Sequence, residues 1–228
     1  MQLLLPVSIN ASQTFDSFVN CEDQVLLEQL QNSVVNPDFS SLYIAGAQGS
    51  GKTHLLNACC HAANEANKTS ILLPLEQMLS MSAQVLDGME DIDLVCIDNI
   101  ELIKGNMDWQ KAIFNLYNSL MQSNGTLVIT GSDTSHNLEL ELPDLASRIQ
   151  WATPFQLHQL SEQDKTVALI HHAHLMGFEL SEDVAKFMLS RLPRKMDFLM
   201  QALNTLARQS IEKQRVVTVP FVKEVLEI

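Results

Sequence analysis

The 228-residue chain is 46% hydrophobic and 18% charged, and no Gly/Ser tract, Pro-rich run or charge block marks a disordered tail. Its length suits one sizeable domain, or a domain with a small satellite, around a real hydrophobic core. A formal net charge of −13 argues against nonspecific DNA binding by the isolated chain, because such binding relies on Lys and Arg displacing the counterions condensed on phosphates.

The chain begins MQLLLPV, an apolar run with no basic stretch ahead of it that stops at Val7, too short for a signal peptide. No stretch approaches the roughly 18 consecutive apolar residues of a membrane span, and no internal repeat is visible. Termini fray unless something ties them down, so Leu3, Leu4 and Leu5 ask for a partner. Either they fill a groove on another protein, or they fold back as a first edge strand. Cys59 and Cys60 are adjacent, while Cys21 and Cys96 stand alone. Without C-x-x-C spacing they read as reduced packing residues of a cytoplasmic protein.

A short apolar run, Leu42 to Ala45, predicts a buried strand, followed by the loop GAQGSGKT from Gly46 to Thr53. This matches G-x-x-x-x-G-K-[ST], whose glycines let backbone N–H groups turn inward around phosphate oxygens while the next helix points its positive end at them. Gly46, Gln48, Gly49, Ser50, Gly51 and Lys52 are therefore candidate nucleotide-binding residues, with Lys52 reaching the β and γ phosphates and the Thr53 hydroxyl on Mg²⁺. Leu55, Leu56, Cys59, Cys60 and Ala63 then recur at helical spacing.

Further strands are predicted at Ile71–Leu73, Leu94–Ile97, Thr126–Thr130 and Pro154–His158, alternating with helices such as Met107–Ser123, which ends at Asn124-Gly125. Such alternation means an α/β core, a parallel sheet covered on both faces. Asp98 stands at the C-terminal end of its strand, where ligands of parallel sheets bind, and is the candidate second metal ligand, acting through water. The next residue is Asn99, whose amide cannot take a proton, so turnover of the chain's own nucleotide is expected to be slow.

After residue 160 the strand pattern disappears. Ser161 to Asp164 looks like a capping box, Gly177 closes that helix and Ser181 caps the next. Met196, Leu199, Met200, Leu203, Ala207 and Ile211 form an apolar stripe, and Pro220 opens a last short helix. A small all-helical lid is expected here. His171, His172 and His174 lack a partner Cys or carboxylate at ligand spacing and read as surface histidines. Met78, Met81, Met89, Met188 and Met200 read as filler.

A P-loop α/β core with a helical lid resembles the AAA+ ATPases, and particular segments resemble the bacterial replication initiator DnaA. TFDSFV from Thr14 resembles the stretch preceding its nucleotide fold, and GAQGSGKTHLLNA its phosphate loop, including His54. LASRIQWA resembles its arginine-finger segment, and TVPFVKEVL the end of its lid. The resemblance covers nearly the whole chain, but the initiator's C-terminal DNA-binding helices have no counterpart in it. It implies residues 13–159 as the AAA+ core and 160–228 as the lid, with Phe15 and Phe18 on the adenosine side.

Together with residues 1–12 as a peptide, the resemblance narrows to the branch of DnaA-like proteins that inactivate the initiator. Members bind the sliding clamp through a Gln-Leu-x-Leu-hydrophobic peptide, matched here by Gln2, Leu3, Leu5 and Pro6. The resemblance implies ADP (or ATP) with Mg²⁺ as cofactor, DnaA and the clamp as partners, and no direct DNA or membrane binding. Arg148 would act as a finger in trans on initiator-held ATP, and self-association through its surface would give a homodimer. Where relatives carry a phosphate-sensing lid arginine this chain has Asp197, with Arg194 and Lys195 about one turn away. Two other readings stay open: a non-enzymatic clamp adaptor, and an autonomous ATP-driven remodeller of helicase-loader type.

Overall fold

The computed structural model describes residues 13–19, 24–36 and 38–228; the expected clamp peptide with Gln2, Leu3, Leu5 and Pro6 lies outside the described residues, as does Cys21. The chain divides into two compact units, one built mainly from residues 22–158 and the other from 159–228 with a short stretch starting at Asp16.

The first unit holds five strands, β1 (Ser40–Gly46), β2 (Ser70–Pro74), β3 (Leu94–Asp98), β4 (Thr126–Gly131) and β5 (Thr153–Leu157). All pairings are parallel, in the order β2-β3-β4-β1-β5. Its helices are α1 (Gln24–Val35), α2 (Lys52–Glu65), α3 (Leu75–Met78), α4 (Met107–Ser123) and α5 (Pro143–Gln150). Successive strand residues point to opposite faces. Tyr43, Ala45, Val95, Ile97, Leu127 and Ile129 share one core with Ile113, Tyr117 and Leu120 of α4 and with Leu145 and Ile149 of α5. The alternate residues Leu42, Ile44, Cys96 and Val128 are equally buried, and Cys96 Sγ meets Cys60 Sγ of α2 at 3.9 Å. A sheet covered on both faces needs unbroken apolar runs rather than alternation, which is why the strands read so clearly. Cys96 does not stand alone in space as it does in sequence.

β5 is the exception, because it lies at an edge and is mostly exposed. An edge tolerates Pro154, which has no N–H to donate to the ladder. Helix α4 spans the predicted residues, with Asn106 accepting from Trp109 N–H at its start and Asn124 taking a left-handed conformation (φ 59°) at its end.

The second unit is all helical: α6 (Glu162–Leu175), α7 (Glu182–Arg191), α8 (Met196–Lys213) and α9 (Val219–Leu226). The capping box forms as expected, Asp164 N–H donating to Ser161 Oγ (3.1 Å) and Ser161 N–H to Asp164 Oδ2 (3.0 Å). At the starts of α7 and α9, Ser181 Oγ accepts from Val184 N–H and Thr218 Oγ1 from Phe221 N–H, single caps without the reciprocal bond. Leu169, Ala173, Val184, Met188, Leu199, Leu203, Leu206, Phe221 and Val222 form the core. Here the sequence expectation needs correction: Ile211 is 75% exposed and Leu206 is fully buried in its place. At about 100° per residue, Ile211 is turned some 80° away from Leu203, far enough to leave the core face. His171 Nε2 donates to the Asp16 carbonyl at 2.9 Å, and among the described residues the three histidines join no cluster able to hold a metal.

Candidate functional site

The loop between β1 and α2 is shaped by its glycines. A Cβ on Gly46 would stand 2.6 Å from Ser50 Oγ and 3.0 Å from Leu157 Cβ, so the loop can close tightly only on glycine. Gly49 and Gly51, at φ 79° and 101°, take left-handed conformations that swing the chain into the first turn of α2. The first turn of a helix carries N–H groups with no acceptor inside the helix, and the positive end of the helix dipole lies there. Ser50 Oγ is buried there with no hydrogen-bond partner among the described residues, while Gln48 is exposed on the turn. Lys52 is 7% exposed, and its ammonium donates to the carbonyls of Gly46 and Ala47. Burial pushes its pKa down, and the charges of Asp98 and Glu101 oppose that shift.

Asp98, at the end of β3, is 4% exposed. Its Oδ2 accepts from the Thr53 hydroxyl at 2.7 Å and its Oδ1 from the Thr130 hydroxyl at 2.6 Å. Thr130 in turn accepts from Asn99 N–H at 3.1 Å. Because Ile97 pairs with Ile129 across β3 and β4, Asp98, the last residue of β3, stands level with Thr130, the last but one of β4. The sequence reading missed Thr130; a polar residue closing the apolar run of β4 was the available signal. It missed Glu101 as well, whose Oε2 is buried without a hydrogen-bond partner among the described residues and whose charge acts on Lys52 and Tyr43. Asn99 itself sits in the left-handed region (φ 61°, ψ 57°).

These groups suit a magnesium-bound nucleoside phosphate. The orphaned Ser50 hydroxyl, the helix terminus and Lys52 supply donors and positive charge for phosphate oxygens. Thr53 and Asp98 offer one hydroxyl and one carboxylate, the sparse oxygen set Mg²⁺ takes when phosphates and water complete its shell.

The start of the described chain is fastened to α2. His54 Nε2 donates to the Thr14 carbonyl at 2.9 Å, and Asn57 Nδ2 donates to Gln13 Oε1 at 2.8 Å. The TFDSFV segment and His54, two separate points of resemblance in the sequence, thus meet at Thr14. Burial holds the His54 imidazole below its ordinary pKa, against the Thr14 hydrogen bond.

Arg148 is carried by α5. Pro143 opens α5, and Leu145 and Ile149, both fully buried, anchor it to the sheet core. Arg148 lies between them in sequence and is partly exposed. Its guanidinium carbon stands 5.6 Å from the Tyr117 ring centroid and 5.5 Å from that of Trp151. No carboxylate pairs with it among the described residues. In the second unit, Asp197 is exposed in the first turn of α8, and Arg194 pairs with Glu162.

Five parallel strands in this order, a phosphate loop after β1, an acid at the end of β3 and a helical lid unit define an AAA+ module. Residues 9–155 match the family described as the bacterial DnaA ATPase domain, and residues 162–226 match the Hda lid domain. The chain belongs to the bacterial DnaA ATPase-domain family. Its fold is similar to that of domain III of the Thermotoga maritima replication initiation protein DnaA, at 20% identity and TM-score 0.78, covering 97% of this chain and 98% of that one. AMPPCP-bound DnaA from Aquifex aeolicus is similar at 17% identity and TM-score 0.71, covering 90% and 68%. The Thermotoga maritima RuvB Holliday junction branch migration motor follows at 14% identity and TM-score 0.66, covering 94% and 71%. No helix among the described residues is long and apolar enough to cross a membrane.

Proposed function

We propose that this DnaA-related AAA+ protein is a negative regulator of replication initiation, which promotes hydrolysis of ATP held by the initiator DnaA and leaves it in the ADP form. Residues 1–12 dock on the sliding clamp through Gln2, Leu3, Leu5 and Pro6, residues 13–159 hold nucleotide, and 160–228 form the lid. The observation that carries this reading is Arg148: a partly exposed arginine, unpaired with any carboxylate among the described residues, on a helix whose neighbours fix it to the core. A guanidinium offered to a neighbour's transferring phosphoryl stabilises the charge developing there, an effect of about 10³ to 10⁵ in rate.

The chain's own site serves to hold rather than to turn over. ADP or ATP with Mg²⁺ would supply the phosphate charge that organises the loop, with Ser50, Gly51, Lys52 and Thr53 as its cradle and Asp98 as the water-mediated metal ligand. Asn99 cannot accept a proton from an attacking water, so a general base is lacking at the position after Asp98. Two leucines buried in a clamp groove contribute roughly 3 to 6 kcal/mol before ordering costs. Clamp affinity is then modest, and a second contact, to the initiator, completes the complex.

The test is single-turnover hydrolysis of initiator-bound ATP with clamp loaded on DNA, comparing wild type, Arg148→Ala and a version lacking residues 1–6. Acceleration by wild type and its loss in both variants is the expected result. Full activity of Arg148→Ala would replace the finger by a non-enzymatic adaptor role.

A further inference from the structure

We infer that Tyr117 and Trp151 are positioning residues for Arg148, holding its guanidinium against their rings so that α5 presents it in one direction. This rests on the trans-finger reading above. Arg148 has four rotatable side-chain bonds, and a finger left free in water would lose that freedom each time it engaged. The two rings remove much of that cost beforehand.

The rings do so from different foundations. Tyr117 is a residue of α4, 4% exposed and packed in the sheet core, where Phe39 meets its ring edge-on at 5.5 Å and 73°. It is a fixed wall. Trp151 follows Arg148 by three residues, so it lies on the same side of the helix end, and its backbone N–H closes α5 onto the carbonyls of Ser147 and Arg148 at 3.2 and 3.3 Å. Trp151 is 73% exposed, against 2% for Trp109, the chain's other tryptophan. A large apolar ring left in solvent is accounted for by the cation it covers.

The choice of rings over a carboxylate has a chemical reason. A carboxylate would occupy the N–H fork and would have to be released before the guanidinium met a phosphoryl oxygen. A ring attracts the cation through its π face, leaving the in-plane N–H donors free for the incoming oxygens. Restraint is gained without consuming the groups that do the chemistry.

Four substitutions separate this from ordinary packing: Trp151→Leu and Tyr117→Leu keep apolar bulk but remove the π face, while Trp151→Phe and Tyr117→Phe keep it. In the same single-turnover assay, titrated to saturation, each Leu variant should lower the saturating rate about 2- to 5-fold. The Phe variants should stay near wild type. Tyr117→Leu should leave the half-saturating concentration unchanged, since a buried ring touches no partner. A second readout needs no activity: with Trp109 buried, acrylamide quenching reports on Trp151, and Arg148→Ala should increase it. If Tyr117→Leu does not fold by circular dichroism, Trp151→Leu alone decides.

The outcomes are distinguishable. Full activity of Arg148→Ala removes the finger reading itself. An inactive Arg148→Ala with wild-type rates for the Leu variants overturns the ring clamp and leaves the finger standing. A raised half-saturating concentration for Trp151→Leu at an unchanged rate makes that indole a partner contact and also overturns it, as does quenching indifferent to Arg148→Ala.

Discussion

The Thr53 hydroxyl donates to Asp98 Oδ2 at 2.7 Å, joining the first turn of α2 to the end of β3 across 45 residues of sequence. Both oxygens are hard donors facing the phosphate loop, so the pair is where Mg²⁺ would enter. Asp98→Asn should therefore weaken nucleotide binding in Mg²⁺ at least about 10-fold and abolish the difference between Mg²⁺ and chelator. Thr53→Ser should keep that difference and Thr53→Val should lose it. Titration with a fluorescent nucleotide checks this, and an Asp98→Asn protein with undiminished Mg²⁺ dependence would rule out the assigned role.

Asn99 combines a missing acid with a left-handed backbone, φ 61° and ψ 57°. Asn and Asp tolerate that region, whereas a β-branched residue is strained there by about 1 to 2 kcal/mol. Asn99→Asp should fold as well as wild type and raise the chain's intrinsic ATP turnover by about 10-fold or more, a conservative share of what a positioned base contributes. Asn99→Val should lower stability to chemical denaturation without raising turnover. Unchanged turnover in Asn99→Asp would mean that something other than the absent carboxylate limits the rate.

Gly131 makes room for Tyr43. A Cβ at residue 131 would fall 1.9 Å from the Tyr43 hydroxyl and 2.9 Å from Cζ, and that hydroxyl donates to the Asp133 carbonyl at 2.7 Å. Gly131→Ala should thus destabilise the first unit by about 2 to 3 kcal/mol, the upper part of the range for overpacking. Tyr43→Phe should cost about 1 kcal/mol, the worth of one hydrogen bond. The double variant should be more stable than the sum of the two, because Tyr43→Phe removes the oxygen that makes the severest overlap and leaves only the contact with Cζ. Strict additivity in urea unfolding would show that the chain relieves the overlap some other way.

His54 is held neutral by burial, its pKa below the ordinary 6.5. The unfolded chain then takes up a proton near that ordinary value while the folded chain resists it. The stability of the neutral form is complete above it and is lost as pH falls through it toward the depressed folded value. Wild type should lose melting temperature between about pH 7.5 and about pH 5.5. His54→Gln, which keeps a donor for the Thr14 carbonyl, should lose less over the same interval. Equal slopes would place the titration elsewhere.

Local pattern was enough for most of the elements, though not for α1 or α3, which the sequence reading did not single out. Strands expected at Leu94–Ile97 and Thr126–Thr130 extend by one residue to Asp98 and Gly131, and α4 runs Met107–Ser123 as expected. Apolar runs, caps and left-handed Asn or Gly stops act over a few residues, so the sequence carries them directly. The phosphate loop was legible for the same reason: its geometry follows from glycine spacing at a strand-to-helix turn. Ile211 fails because an apolar residue at nearly the right spacing is turned off the core face, and only the partners of α8 settle which residues face inward.

What tertiary structure decided is the company each residue keeps. Parallel pairing of β3 with β4 sets Thr130 beside Asp98, and the approach of α2 to β3 brings Cys60 to Cys96. Residues on α4 and just beyond α5 give Arg148 its two rings. These contacts join residues 3 to 36 positions apart in sequence. The shortest of them depends on how α5 ends, and the others on strand order and helix packing, which no local periodicity encodes. The sequence by itself determined most of the elements that form and that a phosphate loop stands at a turn. The physics of packing decided which side chains that turn, and Arg148, would have as neighbours.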